Sequence, residues 1–122
     1  MAGILEHTLL SAHNPQSGRF DALRLADTLA LSTKQMACIV GYSPSGLRKN
    51  PQAERLQPRL ARLTNLVQRL KGLMEGRLDY ALIWLKAPHP DLGGETPLGF
   101  LEQGYIDQVE TLIYAMETGQ PL

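Results

Sequence analysis

DYALIWLKAPHPDLGGETPLGFL, residues 79–101, is the stretch whose reading decides the fold. Its first half carries apolar residues at helical spacing and closes on Trp84-Leu85. Pro88 and Pro90 then stop the helix, because each lacks an N–H and pushes its predecessor toward extended geometry. Gly93-Gly94 supplies a tight bend. Thr96-Pro97 has the form of a helix start, a hydroxyl N-cap followed by proline at the first helical position. Gly104 ends that short helix and Tyr105 begins another. The stretch therefore predicts a helical hairpin around a rigid elbow built on Trp84, Leu85, Pro88, Gly93, Gly94, Thr96 and Pro97. No catalytic side chains are grouped in it, so it reads first as a docking surface.

Downstream, Ile106, Val109, Leu112, Ile113 and Met116 form the apolar stripe of a final helix, with Asp107, Glu110 and Glu117 on its wetter side and Gly119 at its end. Leu98, Phe100 and Leu101 supply the short helix's contacts. Upstream, Leu78, Ala81, Leu82 and Leu85 make the stripe beneath Trp84, whose bulk suits a core anchor. Before a break at Gly76, Glu54–Glu75 reads as the longest helix, with Pro58 in its first turn. Leu60, Leu63, Leu66, Val67, Leu70, Leu73 and Met74 line its apolar face. Arg55, Arg59, Arg62 and Arg69 fall largely off that face, where they would extend a phosphate-binding surface or simply be solvated.

Nearer the N-terminus, Ser17–Leu31 is expected to be helical on the spacing of Phe20, Leu23, Leu25, Ala26, Leu29 and Ala30. Ser32-Thr33 caps a second helix through Val40, which Gly41 ends by taking a left-handed conformation. Ser43-Pro44 opens a third helix through Lys49, closed by Asn50-Pro51. Helix, glycine-bearing turn and capped helix make a helix-turn-helix. Ala37 is small at the crossing and Leu47 faces the core, while Ser43, Ser45, Arg48 and Lys49 project from the recognition helix. Hydroxyls and N-terminal amides hold phosphates, and Arg48 can pair with guanine. Lys34, Gln35 and Arg55 complete the candidate DNA-binding set. Gly46 inside the recognition helix and Asn50 at an expected core position depart from the pattern. A three-helix scaffold kept for packing is the alternative.

Residues 1–18 read as an arm, with Ile4, Leu5, Leu9 and Leu10 as a possible stripe that Asn14-Pro15 and Ser17-Gly18 end. His7 and His13 lack the accompanying ligands a metal site needs. The formal charge of zero conceals a division. Residues 19–71 hold ten basic against three acidic side chains, and residues 72–122 hold two against eight. A basic front suits a polyanion, whereas an acidic back suits a different partner.

A chain of 122 residues is long enough to bury about two-thirds of its unfolded surface. Its single cysteine, Cys38, excludes an internal disulfide and is expected within the helix-turn-helix core, away from any base. No leader pattern and no membrane-length apolar run is present, so a cytoplasmic location is expected. No phosphate-cradling glycine loop occurs, and His89 stands alone. The reading is an all-α, non-enzymatic chain without cofactor or metal: an arm at 1–18, a helix-turn-helix region with a linking helix at 19–75, and a helical hairpin domain at 76–122.

In order, the chain carries a helix-turn-helix, a long helix, Trp84-Leu85, Pro88 to Pro90, Leu92-Gly93-Gly94, Thr96-Pro97, Leu101, Gly104, Val109, Leu112, Glu117 and Gly119. Over residues 20–120 this resembles the Xre/MbcA/ParS antitoxin family. The resemblance implies an antitoxin paired with a RES-type, NAD-consuming toxin, whose NAD cleft the C-terminal helices and tail cover. Carried onto this chain, the covering residues would be Tyr105, Gln108, Tyr114, Glu117, Gly119, Gln120, Pro121 and Leu122. It also implies repression of the chain's own operon, as a homodimer or a higher toxin–antitoxin assembly. Two rival readings remain: a helix-turn-helix repressor whose C-terminal half only dimerises, and a protein-interaction module whose helix-turn-helix does not touch DNA.

Overall fold

A computed structural model of the chain describes residues 12–119. The arm residues Ile4, Leu5, His7, Leu9 and Leu10, and the tail residues Gln120, Pro121 and Leu122, lie outside the described residues. Among those described, the regular elements are seven α-helices and two 3-10 turns, with one isolated β-bridge between His13 and Phe20. The fold is all-α, as the sequence predicts. Two compact units divide it, one up to Asn65 and one from Leu66.

The N-terminal unit holds α1 (Ala22–Thr28), α2 (Thr33–Val40) and α3 (Pro44–Lys49). All three pack on one another over Ala22, Leu25, Ala26, Leu29, Met36, Ala37, Val40 and Leu47. The first helix is much shorter than the expected Ser17–Leu31. Asp21 caps it, with Oδ1 accepting from Leu23 N at 3.0 Å and Arg24 N at 3.1 Å. Upstream, Asn14 Oδ1 folds a turn by accepting from Gln16 N and Ser17 N, the side-chain mimicry of a turn that asparagine favours. Phe20 accordingly leaves the helix and stacks on His13, ring centroids 4.1 Å apart. The side-chain amide of Gln57 accepts from Phe20 N and donates to Phe20 O, both at 2.9 Å, and so satisfies both backbone groups of that extended residue.

The turn between α2 and α3 forms as read. Ser32 and Gln35 make a capping box at the start of α2, and Gly41 closes it with φ 69°. The Arg59 guanidinium donates to the Val40 carbonyl at that helix end, so a side chain on residue 41 would also meet Arg59. Ser43 caps α3, with Pro44 at its first position. Cys38 departs from expectation: it is exposed, because the buried stripe of α2 runs through Met36, Ala37 and Val40.

After a 3-10 turn at Glu54–Leu56, α4 (Gln57–Leu73) begins with Pro58 as its second residue. The division between units falls inside α4. The helix ends before the expected Glu75, which takes a left-handed φ of 57° ahead of Gly76. The C-terminal unit continues with α5 (Leu78–Lys86), a 3-10 turn (Pro90–Leu92), α6 (Pro97–Glu102) and α7 (Ile106–Thr118). Its core is Leu66, Val67, Leu70, Ala81, Leu85, Leu92, Leu98, Leu101, Val109, Leu112, Ile113 and Ala115, and α6 packs against both α5 and α7.

Candidate nucleic-acid and protein-docking faces

On α3, Ser45, Arg48 and Lys49 are exposed and lie at helical spacing on the side away from buried Leu47. Arg48 and Lys49 occupy the last turn, where cations complement the helix dipole. Ser43 is committed internally, its Oγ accepting from Gly46 N at 3.0 Å and lying 3.5 Å from Ser45 Oγ. Gln35 is similarly engaged, its Oε1 accepting from Ser32 N at 2.9 Å. Lys34 is exposed at the start of α2. The Arg55 guanidinium lies 5.3 Å from the centre of the Tyr42 ring. Of the arginines on the long helix, Arg59 is turned to the Val40 carbonyl and Arg69 to Glu117, so neither simply extends a phosphate-binding strip.

The elbow of the C-terminal unit has the chemistry expected of it. Gly93 and Gly94 have φ of 66° and 84°, and Thr96 Oγ1 accepts from Gly99 N at 2.9 Å to cap α6. His89, read as an isolated loop residue, caps the 3-10 turn through Nδ1, which accepts from Asp91 N at 3.1 Å. Its backbone closes the bend, with His89 N donating to Glu95 O and Gly94 N to His89 O, each at 3.0 Å. Trp84 is half-buried rather than a core anchor, since the stripe of α5 runs through Ala81 and Leu85 beside it. Its ring meets His89 edge-on, centroids 5.9 Å apart, and braces the elbow from outside.

On α7, Val109, Leu112, Ile113 and Ala115 face inward, while Asp107, Thr111, Tyr114 and Thr118 form an exposed ridge on the opposite side. Tyr114 is 57% exposed and Tyr105, at the helix start, 47%. The Tyr105 ring packs edge-on against Phe100 at 5.7 Å. Phe100 in turn lines a groove of about 480 Å³ with Asp91, Leu92, Asp107, Gln108, Thr111 and Leu112. An apolar floor thus carries two aspartates and an amide at its edge. A second hollow, of about 340 Å³, lies among Arg69, Asp107, Glu110, Thr111 and Tyr114.

Glu117 is held by a two-pronged contact: Arg69 Nη2 donates to Oε1 at 2.6 Å and Nε to Oε2 at 3.2 Å. These hydrogen bonds, followed by the charge attraction, hold the Glu117 carboxyl below its ordinary pKa. The same hydrogen bond raises Arg69, with further support from Glu110. Gly119 caps α7 in a left-handed conformation. The structure therefore gathers Tyr105, Gln108, Tyr114 and Glu117 around one helix. It adds Asp91, Leu92, Phe100 and Thr111, whose meeting in one groove no local sequence pattern signals. Among the described residues no group of three or more His, Cys, Asp or Glu could hold a metal ion, and no helix is long and apolar enough to cross a membrane.

Residues 70–119, which include all of α5, the elbow, α6 and α7, match the antitoxin Xre/MbcA/ParS C-terminal toxin-binding domain. The matched span contains Tyr105, Gln108, Tyr114, Glu117 and Gly119, the described part of the surface that the resemblance implies. A chain in the crystal structure of the M. tuberculosis MbcT-MbcA toxin-antitoxin complex shares the fold, with a TM-score of 0.58 and 22% identity. The alignment covers 83% of this chain and 94% of that one, so the likeness extends well beyond the Xre/MbcA/ParS domain itself. No curated protein sequence matches the chain.

Proposed function

We propose that this chain is the cytoplasmic antitoxin of a type II toxin–antitoxin pair, that its C-terminal unit covers the NAD site of a RES-type toxin, and that its N-terminal unit represses the shared operon. One observation carries the reading: the residues matched to a toxin-binding domain present exposed aromatics and carboxylates around α7. Tyrosine joins a large apolar ring to a polar tip and is a favoured anchor at protein interfaces. A cleft that binds a dinucleotide carries positive charge for its pyrophosphate, and the acidic edge of Asp91 and Asp107 complements such a cleft. Inhibition on this reading is steric: the covered site admits no dinucleotide, and the antitoxin performs no chemistry.

The operator-binding half rests on Ser45, Arg48 and Lys49 sharing the outer side of α3. Co-expression with the toxin encoded beside it tests the whole. The wild-type chain restores growth, and Tyr105→Ala combined with Tyr114→Ala loses the rescue while keeping its helical content and melting temperature. Full rescue by the folded double variant would move the docking face elsewhere. Operator binding without any neutralisation would favour a repressor whose C-terminal unit serves only to dimerise it.

A further inference from the structure

The groove of the C-terminal unit joins two chemistries that one kind of side chain answers. Leu92, from the 3-10 turn, and Leu112, from α7, are buried at its floor, and half-buried Phe100 from α6 lies beside them. Asp91 and Gln108 are exposed on its lining. His89 Nδ1 lies 4.0 Å from Asp91 Oδ2, yet that nitrogen accepts from Asp91 N at 3.1 Å. It therefore carries no proton there, and the approach is not an ion pair. Asp107, in the first turn of α7, adds its negative charge to the same space. The Thr111 hydroxyl is turned back onto its helix, donating to Asp107 O at 3.0 Å, so it does not compete as a donor.

We infer that this groove takes an arginine side chain of the toxin, its methylene stem on Leu92 and Leu112, its guanidinium plane on the Phe100 ring and its N–H groups on Asp91. The inference rests on the C-terminal unit being the unit that docks a toxin, and names the side chain that this part of its face receives. A wholly apolar anchor would fill the floor but shut Asp91 away from water without a partner, which is costly. A lysine would meet the charge, but its ammonium is a compact, strongly hydrated point with no plane to stack and no fork to match a carboxylate. Arginine supplies all three features: a stem that covers apolar surface, a delocalised cation drawn to an aromatic face, and paired donors for one carboxylate. The Gln108 side-chain carbonyl can accept from a donor that Asp91 leaves over. At about 480 Å³ the groove has room for such a chain.

Titrating the full chain with N-acetyl-L-arginine methylamide, followed by amide NMR, tests the groove without any toxin. Saturable shifts are expected at Leu92, Phe100, Gln108 and Thr111, with affinity at least about threefold above that of the lysine analogue. Asp91→Asn combined with Phe100→Leu should remove them while the rest of the spectrum keeps its dispersion. Equal shifts from the lysine or norleucine analogue, or none from the arginine compound, would overturn the inference. With the toxin encoded beside the chain, Asp91→Asn should raise the dissociation rate about tenfold, and the effect should persist at high salt, as that of a desolvated pair does and long-range steering does not. Against the toxin variant whose matching arginine is replaced by alanine, the same change should have almost no further effect. Toxin binding in which no interface arginine couples to Asp91 overturns this inference alone. A wild-type chain that binds no toxin overturns the proposed function and, with it, the toxin as the source of the arginine.

Discussion

Gly46 departs from helix propensity, and its surroundings explain why. A Cβ at this position would stand 2.8 Å from the Tyr42 ring and 2.9 Å from Ser43 Oγ. Glycine costs a helix interior about 1 kcal/mol relative to alanine, yet the same Ser43 oxygen caps α3 by accepting from Gly46 N, a bond whose loss costs about 1 kcal/mol. Displacing the Tyr42 ring also disturbs its contact with Arg55. Gly46→Ala should therefore fail to stabilise the protein, and thermal melts should place it at or below wild type. A rise of several degrees would refute the crowding argument. Glu117 presents the opposite case, an anion in the last turn of α7 where the helix dipole disfavours it, offset by Arg69. Because its folded pKa is depressed, its contribution is present above the unfolded value of about 4.3 and is lost as pH falls through the folded one. The stability difference between wild type and Glu117→Gln, measured by urea unfolding, should be larger at pH 7 than at pH 3. An equal difference at both pH values would mean the ion pair contributes nothing.

Each helix boundary was legible where a cap residue and a stop residue both occur. Ser32 with Gln35 and Gly41, Ser43-Pro44, and Thr96-Pro97 all function as read. Apolar spacing alone overextends the first helix. Asp21 and the Asn14 turn, both local hydrogen-bond competitors, cut it short. Helix α3, which the proposed function makes the recognition helix, has about one turn and a half, with its cations at the C-terminal end rather than at the N-terminal end that usually reads bases. Arg48 and Lys49 thus suit phosphate contacts. Arg48→Ala with Lys49→Ala should weaken operator binding across sequences and lower the salt slope by about two, while toxin neutralisation persists. Filter binding over a salt series measures this, and an unchanged slope would remove both side chains from the DNA interface.

For the whole molecule, the division of charge along the chain is the feature with the widest consequence. Long-range attraction raises association rates and is screened by salt. Replacing Asp91 and Asp107 together by Asn should slow toxin association roughly threefold or more at low salt, with little change at high salt. Stopped-flow rates that do not depend on salt would show that the acidic rim does not steer the encounter. Sequence by itself determined the all-α class, the helix-turn-helix, the elbow and the opposed charges of front and back, because periodicity, caps, proline and glycine act within a few residues of where they stand. Only the tertiary structure decided that Arg59 and Arg69 are engaged, that Cys38 is exposed and Trp84 only half-buried, and that Phe100, Leu92 and Asp91 meet α7 at a groove. Those facts depend on which face of a helix meets a distant segment. Cysteine and tryptophan at the edge of a stripe can turn either way until that neighbour is in place.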